Sequence, residues 1–331
     1  MNKSNWSAFK IIFAMQLSNY KKDLFVVFSG WIITTITLVV WLAFKNAGTG
    51  TGNKDLVVDN FIVASAIGIS VIRNCLFNLV KTIYDFKSSM FLERLFSTKV
   101  SKTFVFSIII LFSQIVNILV AIFMFAISML FPDQRREIVN VNWPVLFLGF
   151  FLLAISSNLI ALIIVFHAKS YEWASVIANL FYFLPMFLLG LGIPWTLLEQ
   201  NKPIIIIGFF LPQRYFLNIM ASGWADDIGM KTNQFGYNGN FWIPYLVSLI
   251  ILILLTIWLV LLLKKTFGYK KKLLKKYPTN LKHISIIYSI KKANSIEELN
   301  QIIEVKNLII EAKKRENKVK EKNRNDDSKK I

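Results

Sequence analysis

The 331-residue chain is 55% apolar, holds 29 phenylalanines and carries a formal net charge of +19, a balance that excludes an ordinary soluble domain. A single cysteine excludes an intrachain disulfide. The basic residues lack the interleaved aromatics or recognisable module of a nucleic-acid binder, so no nucleic-acid partner is expected. Apolar runs of about 20 residues, the length a helix needs to cross a bilayer, recur along the chain and identify a polytopic membrane protein.

In chain order, residues 1–23 place Trp6, Phe9, Phe13, Leu17 and Tyr20 on one helical face, opposite Lys3, Ser7, Lys10, Ala14 and Lys21. With no uninterrupted apolar core and no small-residue cleavage site, this is not a signal peptide. It reads as an amphipathic helix lying in the cytoplasmic interface, the alternative being a plain cytoplasmic extension of the first span. A six-span domain over residues 24–263 follows, with spans at about 24–44, 61–80, 104–131, 145–166, 174–198 and 241–263. Six spans put both termini on one side. Residues 1–23 sum to +3, residues 81–102 sum to +3 with five basic residues against Asp85 and Glu93, and residues 264–331 sum to +12 with 20 basic against 8 acidic. The segments 45–60, 132–144 and 199–240 are each neutral. By the positive-inside rule both termini and the 81–102 loop are cytoplasmic.

That loop, KTIYDFKSSMFLERLFSTKVSK, is long, carries both signs of charge and keeps apolar residues at helical spacing. Ile83, Phe86, Met90, Phe91 and Leu95 make one face apolar while Asp85, Lys87, Glu93 and Arg94 line the rest, so the segment lies flat and touches a partner. Inside the spans polar residues are few. Arg73 and Asn74 fall in the second span, Gln114 and Asn117 in the third, and Ser156, Ser157 and Asn158 in the fourth. Two readings stand side by side: a substrate path between protomers, or helix packing by polar hydrogen bonds with Arg73 snorkelling inward beside Lys81.

The outward-facing GTGTGNKD at 48–55 lacks the G-K-[ST] ending of a P-loop and reads as a flexible turn. No P-loop occurs anywhere in the sequence, so any ATP-driven step must draw on another chain. After the fifth span Gly190, Gly192, Pro194, Pro203 and Pro212 punctuate an apolar stretch too short between breaks to span. Residues 204–211 are expected to dip into the outer leaflet and return, a simple external loop with a hydrophobic patch being the alternative. Residues 214–224 are amphipathic. The basic tail 264–331 opens with lysines and aromatics suited to an anionic inner leaflet. Ser295 and Glu298 then form a capping box for a helix at about 296–312, and a disordered end follows.

With these pieces placed, the chain resembles the permease subunit of an ABC-2 type exporter, over about residues 5–265. In the loop, Asp85 and Lys87 precede Met90, Phe91, Leu92, Glu93, Arg94 and Leu95, then Thr98, Lys99, Val100 and Ser101. This is similar to the family's acidic-basic pair, Gly-Thr-Leu-Glu run, Leu and Thr-Pro-Val-Ser step. Met90 stands for the family Gly and Lys99 for the family Pro, which lets the helix run on where relatives break it. Gly190 or Gly192 with Pro194, and Pro212 with Tyr215, resemble the family's Gly-then-Pro element and Pro-x-x-Tyr step, without the usual Ser before the first Gly.

The resemblance implies an all-α integral membrane fold with an interfacial helix, six spans, a cytoplasmic coupling helix at 84–96 and a re-entrant or broken segment before the last span. It implies that Tyr84, Asp85, Phe86, Lys87, Phe91, Leu92, Glu93, Arg94 and Leu95 contact a separate P-loop ATPase. Arg73, Asn74, Gln114, Asn117 and Asn158 become substrate-path residues, and Gly190, Gly192, Pro194, Pro203, Pro212 and Tyr215 a gate. ATP and Mg would sit on the partner, with no cofactor on this chain, and a second permease subunit would complete the cavity. The cargo is expected to be a lipid, drug or peptide.

A membrane enzyme is disfavoured: the only histidines are His167 and His283, and no HExxH, paired intramembrane carboxylates or Gly-x-Ser-x-Gly is present. An ion channel or ion-coupled carrier, or a structural membrane protein docking cytoplasmic partners, are the competing classes. The expected spans hold no buried carboxylate for a driving ion. Usage rich in Lys, Ile, Asn and Phe resembles an AT-rich bacterial genome and hence a bacterial plasma membrane.

Overall fold

A computed structural model describes residues 3–51, 61–96, 100–193, 198, 202–267 and 304. Residues 1–267 form one compact unit and residues 268–331 a second. The expected tail helix at 296–312 and the disordered end lie outside the described residues but for Glu304, as do 52–60 of the first external loop. Among the described residues the secondary structure is helical, without strands.

Helix α1 is Lys3–Lys22. Helix α2 joins Leu24–Phe28, a π-helical turn at Ser29–Ile33 and Thr34–Thr51. Helix α3 joins Ile62–Asn74, a second π-helical turn at Cys75–Leu79 and Val80–Ser88. Then come α4 (Phe91–Phe96), α5 (Lys102–Ser128), α6 (Pro132–Glu137), α7 (Trp143–His167) and α8 (Tyr171–Leu188). The last three are α9 (Lys202–Phe209), α10 (Pro212–Trp224) and α11 (Trp242–Phe267). Local chemistry fixes several starts. The side chains of Ser101, Asn142 and Ser170 accept hydrogen bonds from the backbone N–H of Phe104, Val145 and Trp173, capping α5, α7 and α8.

Four helices, Ile62–Ser88, Lys102–Ser128, Trp143–His167 and Trp242–Thr266, are long and apolar enough to cross a membrane. They correspond to the second, third, fourth and sixth expected spans. The apolar part of α2, Gly30–Phe44, is shorter. The expected fifth span, 174–198, stops early, because α8 ends at Leu188. There the Leu189 N–H returns to Pro185 O, Gly190 turns left-handed at φ 92, and the Gly192 N–H reaches Met186 O at 2.7 Å. Helices α9 and α10 are bent by 97° to one another across Phe210 and Leu211.

The core is built on α3, whose segment Ile62–Asn74 is buried at every residue. Helix α10 is equally enclosed from Phe216 to Trp224. It crosses α7 so closely that a Cβ on Gly149 would stand 2.6 Å from Met220 Cα, and one on Gly223 would stand 2.8 Å from Leu146 Cα. Small residues at a helix crossing let the backbones meet, which is how packing between membrane helices gains its dispersion energy. The α1 face turned to the core is Ile12, Gln16 and Tyr20, with Phe9 and Phe13 partly buried. Phe13 and Tyr20 meet Phe112 of α5 edge-on at 5.2 and 6.1 Å. Trp6 and Leu17, of the apolar face expected to lie in the membrane interface, are exposed.

Candidate functional site

The loop after α3 does not run on as one helix. Met90 adopts φ 55, a left-handed conformation that a side chain rarely takes, and this breaks the helix between Ser88 and Phe91. The break falls at the position where the resemblance has its Gly. The expected continuous helix over 84–96 is therefore two pieces, and Met90, expected on the apolar face, is exposed. The buried face is made by Ile83, Phe86 and Leu92. Across the break Phe86 and Phe91 rings lie 4.9 Å apart, which sets α4 against the end of α3. Leu95 packs on the core, Arg94 is exposed, and the Glu93 side chain and Lys99 lie outside what is described.

Lys87 does not face outward. Its ammonium donates to the Val165 and Ala168 carbonyls at 2.9 and 3.1 Å, satisfying the open end of α7. Tyr84 faces Tyr171 at 5.6 Å, tying the same corner to the start of α8. Asp85 is exposed and lines a polar cavity of about 240 Å³ with Asn19, Asp23, Asn78, Lys81 and Thr82. Across it Lys81 pairs with Asp23, joining the α1–α2 junction to α3. Charged and polar groups from four helices thus converge where α3, α7 and α8 end or begin.

The expected substrate-path residues divide. Asn74 Nδ2 donates to Asn117 Oδ1 at 3.1 Å, Asn117 Nδ2 to Cys75 Sγ at 3.2 Å, and Ser113 Oγ to Asn158 Oδ1 at 2.9 Å, while Cys75 Sγ and Ser113 Oγ stand 3.8 Å apart. These residues form a continuous buried chain through α3, α5 and α7. Arg73 turns away to α8. Its Nη1 donates to the Tyr182 hydroxyl at 3.0 Å, and the guanidinium lies over the rings of Tyr182 and Phe77 at 4.9 and 5.3 Å. Arg73 Nε and both amide atoms of Gln114 are buried without a hydrogen-bond partner.

At the opposite end, the expected gate residues divide between the α9–α10 bend, the start of α9 and the turn after α8. Pro212 opens α10, where its missing N–H costs nothing. The Tyr215 hydroxyl reaches back to Phe209 O at 2.8 Å. Gly190 and Gly192 form the turn after α8, pinned from α2 by the Trp41 indole on Leu191 O at 2.6 Å. Pro203 is exposed in the first turn of α9, and Pro194 lies outside the described residues.

The bend's central side chain is one the pattern missed. Arg214, with no exposed surface, donates to Ile205 O at 3.3 Å and to Phe235 O at 3.2 Å, and lies 4.1 Å from the Phe209 ring centroid. It joins α9, α10 and the loop before α11. Its only signal in the sequence was a lone Arg directly after Pro-Gln, which looks like an external loop. In that loop Asp227 is drawn two ways. Partial burial raises its pKa, but hydrogen bonds from the Thr232 hydroxyl and the Thr232 and Lys231 N–H groups outweigh this and hold it below the ordinary carboxylate value.

Among the described residues no cluster of metal-ligating groups occurs. A family model described as ABC-2 type transporter matches residues 7–223, a stretch that takes in α1, the α3–α4 corner, the asparagine chain and nearly all of the α9–α10 bend. Comparisons with curated proteins and with solved structures gave no match. The chain belongs to the ABC-2 type transporter family, as a membrane permease.

Proposed function

We propose that this permease is half of an exporter that moves a hydrophobic or amphipathic substrate by alternating access, driven by a separate ATPase subunit. The observation that carries the proposal is the α3–α4 corner. A short helix is held at the end of α3 by the Phe86–Phe91 contact, and α3 is held to the end of α7 by Lys87. A push on α4 would reach two long helices at once, as rigid-body switching requires. In this reading Phe86, Phe91, Leu92 and Leu95 set the coupling segment's seat. Asp85, Glu93 and Arg94 meet the ATPase, and Tyr84 and Lys87 brace the corner from behind.

The proposed topology has α2, α3, α5, α7, α8 and α11 as six spans, α1 in the inner interface, α9–α10 re-entrant from the outside, and both termini in the cytoplasm of a bacterial cell. A second permease subunit completes the cavity, and ATP and Mg bind the ATPase. The mutual hydrogen bonds of Asn74, Asn117 and Asn158 favour a packing role for them. Arg73, which turns away from that chain to Tyr182, and Gln114, whose two amide atoms are both unpartnered, are kept as path residues, although Asn74 Oδ1 and Asn158 Nδ2 are unpartnered as well.

The test is co-expression with a P-loop ATPase subunit, affinity purification of the permease, and ATPase assay of the reconstituted complex across lipids, drugs and peptides. The ATPase should co-purify with wild type and be lost from the Glu93→Lys/Arg94→Glu double variant. Retention by that variant overturns the coupling assignment, and a flat response to every substrate overturns the substrate class.

A further inference from the structure

A groove of about 340 Å³ lies between α5, α7 and α11, and no residue of the asparagine chain, the α3–α4 corner or the α9–α10 bend lines it. Its floor is apolar: Phe106 and Ile110 from α5, Leu162 from α7, and Leu259 and Leu263 from α11. Phe106 and Leu259 are buried, whereas Val260 on the rim is 44% exposed, so the groove opens sideways from the helix bundle. Its charged lining is at one end, and Thr256, whose hydroxyl donates to Leu252 O in its own helix, is the polar residue farther along. Lys102, in the first turn of α5, and Lys264, in the last turns of α11, both line it, with the hydroxyl residues Thr103 and Ser107 beside Lys102. The Lys102 ammonium lies over the Phe96 ring at 5.6 Å. No carboxylate lines the groove among the described residues. The positive end of the α5 dipole adds to the two lysines.

An apolar trough open to the side, closed at one end by two ammonium groups, is complementary to one ligand shape: a hydrocarbon chain carrying an anionic head. The geometry points to a binding site for an anionic phospholipid of the cytoplasmic leaflet, with its phosphate between Lys102 and Lys264 and an acyl chain along Phe106, Leu162 and Leu259. The inference rests on the cytoplasmic placement of these helix ends proposed above, and requires nothing of the transport cycle. The site lies beside α4 through Phe96, so an occupied groove would also steady the base of the coupling segment.

The experiment is native mass spectrometry of the full-length permease, purified alone in neutral detergent and titrated with phosphatidylglycerol or phosphatidylcholine of identical acyl chains. Two lysines at the membrane surface should favour the anionic lipid by roughly thirtyfold. Lys102→Gln/Lys264→Gln should retain both lipids equally. Ser107→Trp, a substitution at an exposed position that fills the groove, should lose both while keeping the wild-type thermal midpoint. Neutralising Lys270, Lys271 and Lys272 in the tail should leave the preference intact.

The proposal fails if wild type retains the two lipids equally, if the preference survives Lys102→Gln/Lys264→Gln, or if the tail variant abolishes it. It also fails if Ser107→Trp changes the oligomeric mass and leaves lipid retention untouched, which would make the groove a subunit contact. Because nucleotide and ATPase are absent, a negative lipid result leaves the coupling reading standing. Loss of the ATPase in the Glu93/Arg94 variant likewise leaves lipid retention unaffected.

Discussion

Replacing Gly149 or Gly223 by alanine sets two effects of opposite sign against each other. In a helix interior alanine is better than glycine by about 1 kcal/mol, so propensity alone predicts stabilisation. At Gly149, however, the new Cβ would stand 2.6 Å from Met220 Cα, where ordinary contact begins at 3.4 Å, so α7 and α10 must part by about 0.8 Å. The obstacle is backbone, which no rotamer change relieves.

Five buried apolar side chains, Leu146, Phe150, Leu153, Leu217 and Met220, lie along the two helices. If each loses about a third of the dispersion from roughly ten cross-helix contacts at ~0.15 kcal/mol, the loss is about 2.5 kcal/mol. The net destabilisation is then about 1.5 kcal/mol, within the range of overpacked cores, or a fall of about 2 °C in melting midpoint for a chain of this size. Intrinsic-fluorescence melts of the detergent-solubilised protein, checked by size exclusion, measure it. Gly229→Ala, whose nearest neighbour would be a flexible Lys231 side chain at 3.4 Å, is the control and should melt with wild type. A midpoint for Gly149→Ala and Gly223→Ala equal to or above wild type would refute the close-packing argument.

Two further outcomes follow from the outer loop. Arg214→Lys keeps the charge, but the Ile205 and Phe235 carbonyls are reached by two separate guanidinium nitrogens, Nη1 and Nη2, which a single Nζ on an unforked stem replaces. Loss of one charge-assisted hydrogen bond costs about 2 kcal/mol, read as faster hydrogen exchange over residues 225–241, and wild-type exchange would contradict the stapling role. For Asp227, a folded pKa below the unfolded one means that stability is present above the unfolded value and is lost as pH falls through the folded value. Protection of the Lys231 and Thr232 amides should therefore exceed that in Asp227→Asn at pH 7, begin to fall towards it below about pH 4 and meet it only once pH is below the folded pKa; a gap that never narrows in acid would show that charge is not what holds the turn.

The four longest apolar helices were legible because a run of about 20 residues with at most one charge needs no knowledge of its neighbours. The helix breaks at Gly190, Gly192 and Pro212 were legible because glycine and proline act on their own backbone. Lys87 was not, since its partners are carbonyls 78 and 81 positions away, at a helix end that only the fold brings near. The same holds for Arg214, whose loop-like setting hides a position with no exposed surface. Met90 failed for another reason: sequence logic assigns left-handed backbone to glycine or asparagine, and here the packing of Phe86 on Phe91 accompanies the same bend with methionine. Which side of α1 meets the core was not legible, because the buried Ile12 and Gln16 lie outside the apolar stripe of Trp6, Phe9, Phe13, Leu17 and Tyr20.

The two π-helical turns, Ser29–Ile33 in α2 and Cys75–Leu79 in α3, lie in contiguous parts of the fold: the Ser70 hydroxyl donates to Gly30 O at 3.2 Å, and Gly30 faces Asn74. Each turn takes one residue more than an α-helical turn, which offsets everything beyond it by about 100° around the helix axis. In α3 the inserted residue falls between Arg73 and Asn74 on one side and Lys81, Asp85 and Lys87 on the other. The two halves of one continuous rod therefore keep separate angular registers, and the second half is aimed at Asp23 and the end of α7 independently of where the first half points its buried polar groups. Deleting a single residue from 75–79 would leave composition and length almost unchanged, yet would swing Lys81 and Lys87 off their partners together.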